Sequence, residues 1–200
     1  MARPREFEEQ EALDAAIQCF WTRGYEATSV RDLADKMGIA GASLYNAFGD
    51  KRSLFHKALD CYAEQSFRDC VKRLEGLMPP LQAIGGFFAE VIERSLSDPR
   101  HKGCMLVNSA LEVAPHDAEF RSVVAGVLRE VEAFFRRCVE AGQHDGTIAA
   151  SQSADDLARL LLGALLGIRV LARIRPERDL LQGLIRPVFA LLDGMTAPPE

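Results

Sequence analysis

Apolar residues in this chain recur three and four positions apart almost from end to end, and no stretch alternates apolar with polar residues. A repeat near 3.6 builds the buried stripe of a helix, whereas a half-buried strand needs a period of two. The pattern therefore restricts the chain to an all-α fold. The clearest stripe is Phe120, Val123, Val127, Val131, Phe134 and Cys138, flanked by Val124, Leu128 and Phe135. Nine helices are expected. The first spans about Arg5 to Arg23, with Leu13, Ala16, Ile17 and Phe20 inward and Gly24 as its stop. Short helices near Val30–Met37 and Gly41–Ala47 follow, then a long one from Lys51 toward Leu77, ended by Pro79 and Pro80. The rest are Leu81–Leu96, about Lys102–Val113, the Phe120 helix ending at Gly142, Asp155–Ile174 and Arg178–Met195.

The bulk numbers exclude more than they assign. With 48% apolar and 26% charged residues the chain reads as an ordinary soluble domain. Its net charge of −5 is not that of a typical nucleic-acid binder, so any such role must rest on local features. The opening MARPREFEEQ lacks the apolar core of a signal peptide. The longest uncharged apolar run, Leu160–Ile168, is bracketed by arginines and too short to span a bilayer. A cytoplasmic protein is expected, with no membrane partner. Cys19, Cys61, Cys70, Cys104 and Cys138 are odd in number and irregular in spacing, and read as free thiols.

The segment Thr28–Phe55 carries the strongest local signal. Ser29 is placed to cap a helix, with Asp32 as its reciprocal partner three residues on. Val30, Leu33, Ala34 and Met37 supply that helix with a buried face, Gly38 supplies a tight turn, and Ile39 a wedge. A second short helix then turns Leu44 and Phe48 inward. Two short helices joined by a glycine turn are the unit that lays its second helix in the major groove. The second helix opens on the small residues Gly41, Ala42 and Ser43, which let the backbone approach bases. Tyr45, Lys51 and the helix N-termini offer donors to phosphates. Between Thr22 and Lys57 the cations Arg23, Arg31, Lys36, Lys51, Arg52 and Lys57 outnumber the anions Glu26, Asp32, Asp35 and Asp50.

These residues together resemble the signature of the tetracycline-repressor (TetR) family. The matching positions are Gly24-Tyr25, Thr28-Ser29, Arg31-Asp32-Leu33-Ala34, Gly38-Ile39, Leu44-Tyr45, Phe48 and Lys51. Two positions depart from it: Ala40 stands where a serine usually follows the turn, so a phosphate contact or cap is expected to be missing there, and Ala47 where a histidine often precedes the phenylalanine. The resemblance implies a nine-helix fold. Residues 1–50 would form a helix-turn-helix DNA-binding domain, and residues 51–196 a helical effector-binding and dimerisation domain. It implies a homodimeric repressor, released from a near-palindromic double-stranded operator by a small-molecule effector, and neither an enzyme nor the holder of a metal or cofactor. Arg31, Ser43 and Asn46 would face base edges; Thr28, Tyr45 and Lys51 would face phosphates.

Residues 157–171 are apolar almost all round, which demands burial on every side. Gly163 and Gly167, one turn apart, would admit a second helix closely. Part of that burial is expected across a subunit interface, where the resemblance also places it, with Leu161, Leu165, Ile168, Leu181, Leu184 and Val188 as candidates. Phe87, Phe88, Val91, Cys104, Met105, Val127, Phe134 and Phe135 are candidates for the effector pocket, against the plainer alternative of core packing. The run His101–Leu106 resembles a Gly-Cys-Leu/Met segment of one TetR branch, with Glu112 eight residues on, and some members of that branch sense oxidants through the cysteine. A thiol at a helix start beside Lys102 is a candidate reactive group, although free cysteines are more often simply buried. A thiol–imidazole enzyme built on Cys104 with His101 or His116 lacks an orienting acid, and a metal site there lacks a second ligand pair.

Overall fold

The computed structural model describes residues 8–193, so the helical expectations for Arg5 to Phe7 and for Gly194 to Met195, and the domain limits at 1 and 196, lie outside the described residues. Among the described residues there are nine helical rods and no strand. They are α1 (Glu9–Arg23), α2 (Val30–Met37), α3 (Gly41–Phe48), α4, α5 (Pro80–Ser97), α6 (Met105–Glu112), α7 (Ala118–Asp145), α8 (Ala154–Ile174) and α9 (Arg178–Leu192). The rod α4 is continuous but not uniform: Lys51–Ala63 is α-helical, Glu64–Arg68 makes a π-helical turn, and Asp69–Leu74 is α-helical again. Phe67 within this turn and Cys70 just after it are both buried.

Local chemistry explains most boundaries. Glu9 and Glu11 lie in the first turn of α1 and Arg23 in its last, each favourable to the helix dipole. Pro80 opens α5, where a missing N–H costs nothing. Three boundaries differ from expectation. The long helix stops at Leu74, short of Leu77, and Leu77 and Met78 are exposed. The helix expected from Lys102 starts at Met105. Asp98 accepts hydrogen bonds from the backbone N–H of Arg100 (3.2 Å) and Lys102 (2.8 Å), and His101 and Gly103 take positive φ, which together hold 98–103 as a turn. Finally α7 continues past Gly142 to Asp145. Gly142 is not a terminator; its missing side chain is the seat of Ile148, whose Cδ1 would stand 2.6 Å from a Cβ there.

Two compact units divide the chain: residues 8–65 with 104–124, and residues 66–103 with 125–193. The first is larger than the helix-turn-helix expected at 1–50. The α-helical start of α4 buries Leu54, Phe55, Ala58, Leu59 and Tyr62, and an apolar face that wide must be covered. The core of this unit is a ring cluster: Phe20 meets Phe55 edge-on at 4.8 Å, Tyr25 lies 4.7 Å from Phe55 and 5.6 Å from Phe120, and Trp21 meets Tyr62 at 5.0 Å. In the second unit Phe87, Phe88, Phe134 and Phe135 form a separate cluster, with Phe88 and Phe135 stacked at 5.5 Å. No helix of the described residues is long and apolar enough to cross a membrane.

Candidate nucleic-acid interface

The helix-turn-helix assembles from contacts a few residues long. Ser29 adopts extended backbone before α2; its hydroxyl accepts the Asp32 N–H at 3.1 Å while the Asp32 carboxylate accepts the Ser29 N–H at 2.9 Å. These bonds, with the Arg23 guanidinium beside it, hold the Asp32 carboxyl at about 2. Gly38 closes α2 in the left-handed region at φ 68°, ψ 27°, and Ile39 N–H returns to the Ala34 carbonyl at 3.1 Å. Nothing would meet a Cβ at Gly38, so its backbone angle alone calls for glycine.

The second helix, α3, then has one face for the core and one for solvent. Leu44 and Phe48 are buried, whereas Ala42, Asn46 and Tyr45 are exposed, Tyr45 by 53%. Ser43 is half-buried. A large ring left this open on a short helix is unusual for packing and suited to a partner. Ala40 makes no side-chain cap for α3, as the departure at that position implied. Asp50 caps α4 instead, accepting the Ser53 N–H at 2.7 Å.

The flanking cations divide into two kinds. The Arg31 side chain is 92% exposed and pairs with Asp35 at 3.8 Å, a loose exposed pair worth little in water. Lys51 sits at the start of α4 with its ammonium 4.3 Å from the centre of the Tyr25 ring. Arg52, by contrast, is committed to the protein. Its guanidinium donates to both Asp117 oxygens and, at 2.6 Å, to Glu119, and it lies over the Phe120 ring at 4.7 Å. Asp117 is held at about 2 chiefly by that guanidinium. His56 stacks on Phe120 at 4.3 Å, with Nε2 at ion-pair distance (3.2 Å) from Glu119 but not aligned as a hydrogen bond. Sequence reading missed this cluster because Arg52 and Asp117 are 65 residues apart.

One expected phosphate contact does not reach the surface. Thr28 is 1% exposed, and its hydroxyl donates to the Gly24 carbonyl at 2.6 Å. The hydroxyl closes the α1–α2 turn and is not offered to an outside partner.

The second unit carries its own exposed apolar surface, in a different phase from the expected one. Leu161, Leu165, Ile168, Leu181 and Val188 are buried within the chain itself and Leu184 is half-buried, so five of these six candidates serve the chain's own core. The stripe left open is Leu160, Gly163, Val170 and Ile174 on α8, with half-buried Ala164 and Gly167 between them, and Gly183 and Pro187 on α9 beside half-buried Leu184. A Cβ added at Gly163, Gly167 or Gly183 would meet nothing within 4 Å. Of the expected pocket residues, Phe87, Phe88, Val91, Val127 and Phe134 are buried in the second unit, whereas Cys104 and Met105 belong to the first. Cys104 is 8% exposed at the N-cap of α6. Burial pushes the Cys70 and Cys138 thiols up to about 12, which keeps them unreactive. Among the described residues no group of three or more His, Cys, Asp or Glu could hold a metal.

Known proteins share this architecture. The family "Bacterial regulatory proteins, tetR family" matches residues 12–58, and "Tetracyclin repressor-like, C-terminal domain" matches residues 80–187. The HTH-type transcriptional regulator YezE of Bacillus subtilis (strain 168) is 33% identical over 195 residues, 96% of this chain and 100% of that protein. The HTH-type transcriptional repressor ComR of Escherichia coli (strain K12) is 28% identical, over 86% of this chain and 82% of its own. A cysteine variant of the TetR family transcriptional regulator CifR, solved with 26 bp double-strand operator DNA, has a TM-score of 0.85 at 31% identity and covers 96% of this chain and 100% of that one.

Proposed function

The chain belongs to the tetracycline-repressor family of bacterial transcriptional regulators, and from that premise we propose that it is a homodimeric repressor of a near-palindromic duplex operator. The observation that carries the reading is the two-faced α3, with Leu44 and Phe48 closed into the core and Tyr45 and Asn46 open to solvent. In this reading α3 enters the major groove, with Ser43 and Asn46 toward base edges and Arg31 reaching them from α2. Tyr45, Lys51 and the uncapped N-terminus of α3 take phosphates. Thr28 has no place in the contact set, because its hydroxyl is spent within the turn.

A single helix-turn-helix makes few contacts, and two copies related by a two-fold axis read two half-sites about one turn of B-DNA apart, roughly 34–36 Å. The outward apolar stripe of α8 and α9 is the surface we assign to that pairing. It is continuous over both helices, and its glycines let a partner helix come close. A small-molecule effector bound through the second unit would favour a conformation with a different head separation. It would thereby weaken operator binding by a coupling free energy of about 1–3 kcal/mol. The aromatic cluster of Phe87, Phe88, Phe134 and Phe135 favours an apolar or aromatic effector.

The test is selection from a random duplex pool with the purified protein. Enrichment of a near-palindrome with half-sites one turn apart is expected. A folded dimer that retains no sequence at low salt would overturn the reading.

A further inference from the structure

The turn that leaves α1 meets a residue far away in sequence. Gly24 has φ 86° and ψ 172°, a region open essentially to glycine. The space its Cβ would need is filled by the Glu112 carboxylate, at 2.6 to 2.9 Å from that position. One oxygen of the same carboxylate accepts the Glu26 N–H at 2.9 Å. Three other polar groups in the bend find partners close in sequence: Gly24 N–H returns to Phe20, the Gly24 carbonyl takes the Thr28 hydroxyl, and Thr28 N–H reaches the Tyr25 carbonyl. The Glu26 N–H, by contrast, takes its acceptor from outside the turn, the Glu112 carboxylate.

What the turn carries is Tyr25. Its ring packs on Phe20, Phe55 and Phe120, and its face is where the Lys51 ammonium rests. A chain of contacts therefore runs from the end of α6 to the start of α4: Glu112 to the Glu26 N–H, the turn to Tyr25, Tyr25 to Lys51. We infer that Glu112 is a positioning residue for DNA binding, acting on the phosphate contact of Lys51 through the Gly24–Thr28 turn and the Tyr25 ring. This rests on the assignment of Lys51 to phosphate in the proposed function. A guanidinium or ammonium aimed by a rigid ring loses less freedom on meeting its phosphate than one swinging in solvent.

The experiment is a salt titration of binding to the duplex that the parent protein selects. The slope of log affinity against log salt is about −0.9 per neutralised phosphate. Losing the Lys51 contact from both subunits makes the slope shallower by about 1.8. It weakens binding at 0.1 M salt by up to roughly sixtyfold relative to the 1 M intercept. Glu112→Ala is expected to move the slope in that direction with the thermal midpoint little changed. Glu112→Gln keeps an oxygen acceptor for the Glu26 N–H and is expected to bind like the parent. A merely structural role would lower the amount of active protein without touching the slope, so a parental slope in Glu112→Ala overturns the inference. So does a Glu112→Gln protein that behaves like the alanine variant. Should Glu112→Ala fail to fold, Glu112→Asp, whose shorter side chain withdraws the carboxylate from the turn, is read by the same slope. Lys51→Ala runs in parallel. If it leaves the slope unchanged, the phosphate assignment itself has failed. If it flattens the slope while Glu112→Ala does not, only the positioning role has.

Discussion

Replacing Gly167 by leucine separates two readings of α8 by the sign of the result. In the single chain an added Cβ at Gly167 meets nothing within 4 Å, so the start of a side chain has open space there. Glycine inside a helix costs about 0.5–1 kcal/mol relative to alanine, and leucine is nearly as good a helix former, so a monomer should gain roughly that much stability. In the proposed dimer the same side chain enters the closest part of the interface. Overpacking a fitted contact costs about 1–3 kcal/mol, and two-fold symmetry repeats it, for roughly 2–6 kcal/mol per dimer. That corresponds to a dimer dissociation constant raised from about thirtyfold to the order of ten-thousandfold. Sedimentation equilibrium over a concentration series reads the constant, and far-UV circular dichroism checks that helix content is kept. The expected result is a helical protein that has become largely monomeric at micromolar concentration and has lost operator affinity with it. A Gly167→Leu protein that dimerises as tightly as the parent would refute the assignment of this face. The interface would then have to lie elsewhere.

Three further outcomes are expected. Tyr45→Ala should weaken binding to all duplexes by about tenfold while leaving stability within about 0.5 kcal/mol, since the ring is 53% exposed, and filter binding with a urea melt measures both. Ser29→Ala removes the acceptor for the Asp32 N–H and should cost about 1 kcal/mol in urea unfolding. A loss under about 0.3 kcal/mol would mean that α2 is held by packing alone. Acid should erode the protein through Asp32 and Asp117, both held at about 2 against an ordinary 3.8. A depressed carboxylate contributes its full stability above the unfolded value and loses it as pH falls toward the folded one. The destabilisation by Asp32→Asn at pH 7 should therefore narrow between about pH 5 and pH 2, and a gap that stays constant in urea melts at pH 7, 5 and 3 would contradict the capping and ion-pair account.

How much of this was legible in the sequence depends on the reach of the interaction. Helical class, the order of the nine rods, the Ser29–Asp32 cap, the Gly38 turn and the two faces of α3 all follow from residues within four positions of one another. Backbone angles, capping bonds and the 3.6-residue period are local physics, and a linear string records them. The same locality made the missing cap at Ala40 visible in advance.

Features settled by docking were not legible in that way. The apolar girth of α8 announces burial on all sides, but not which flank meets the chain's own α5 and α9. Leu161, Leu165 and Ile168 went inward while Leu160, Gly163 and Val170 stayed outside, a phase chosen by packing partners far off in sequence. Gly142 looks like a helix stop and is instead the seat of Ile148; Thr28 looks like a surface donor and is a clasp within a turn. Arg52 with Asp117, and Glu112 with the Glu26 N–H, join positions 65 and 86 residues apart. Periodicity carries no information about such pairs, because it specifies the face a helix buries and leaves the identity of its neighbour to the way the helices pack. The sequence by itself determined the helices and the two faces of α3; tertiary packing decided which apolar positions of α8 stayed exposed and which carboxylate meets the Gly24 turn, because both depend on neighbours that periodicity does not specify.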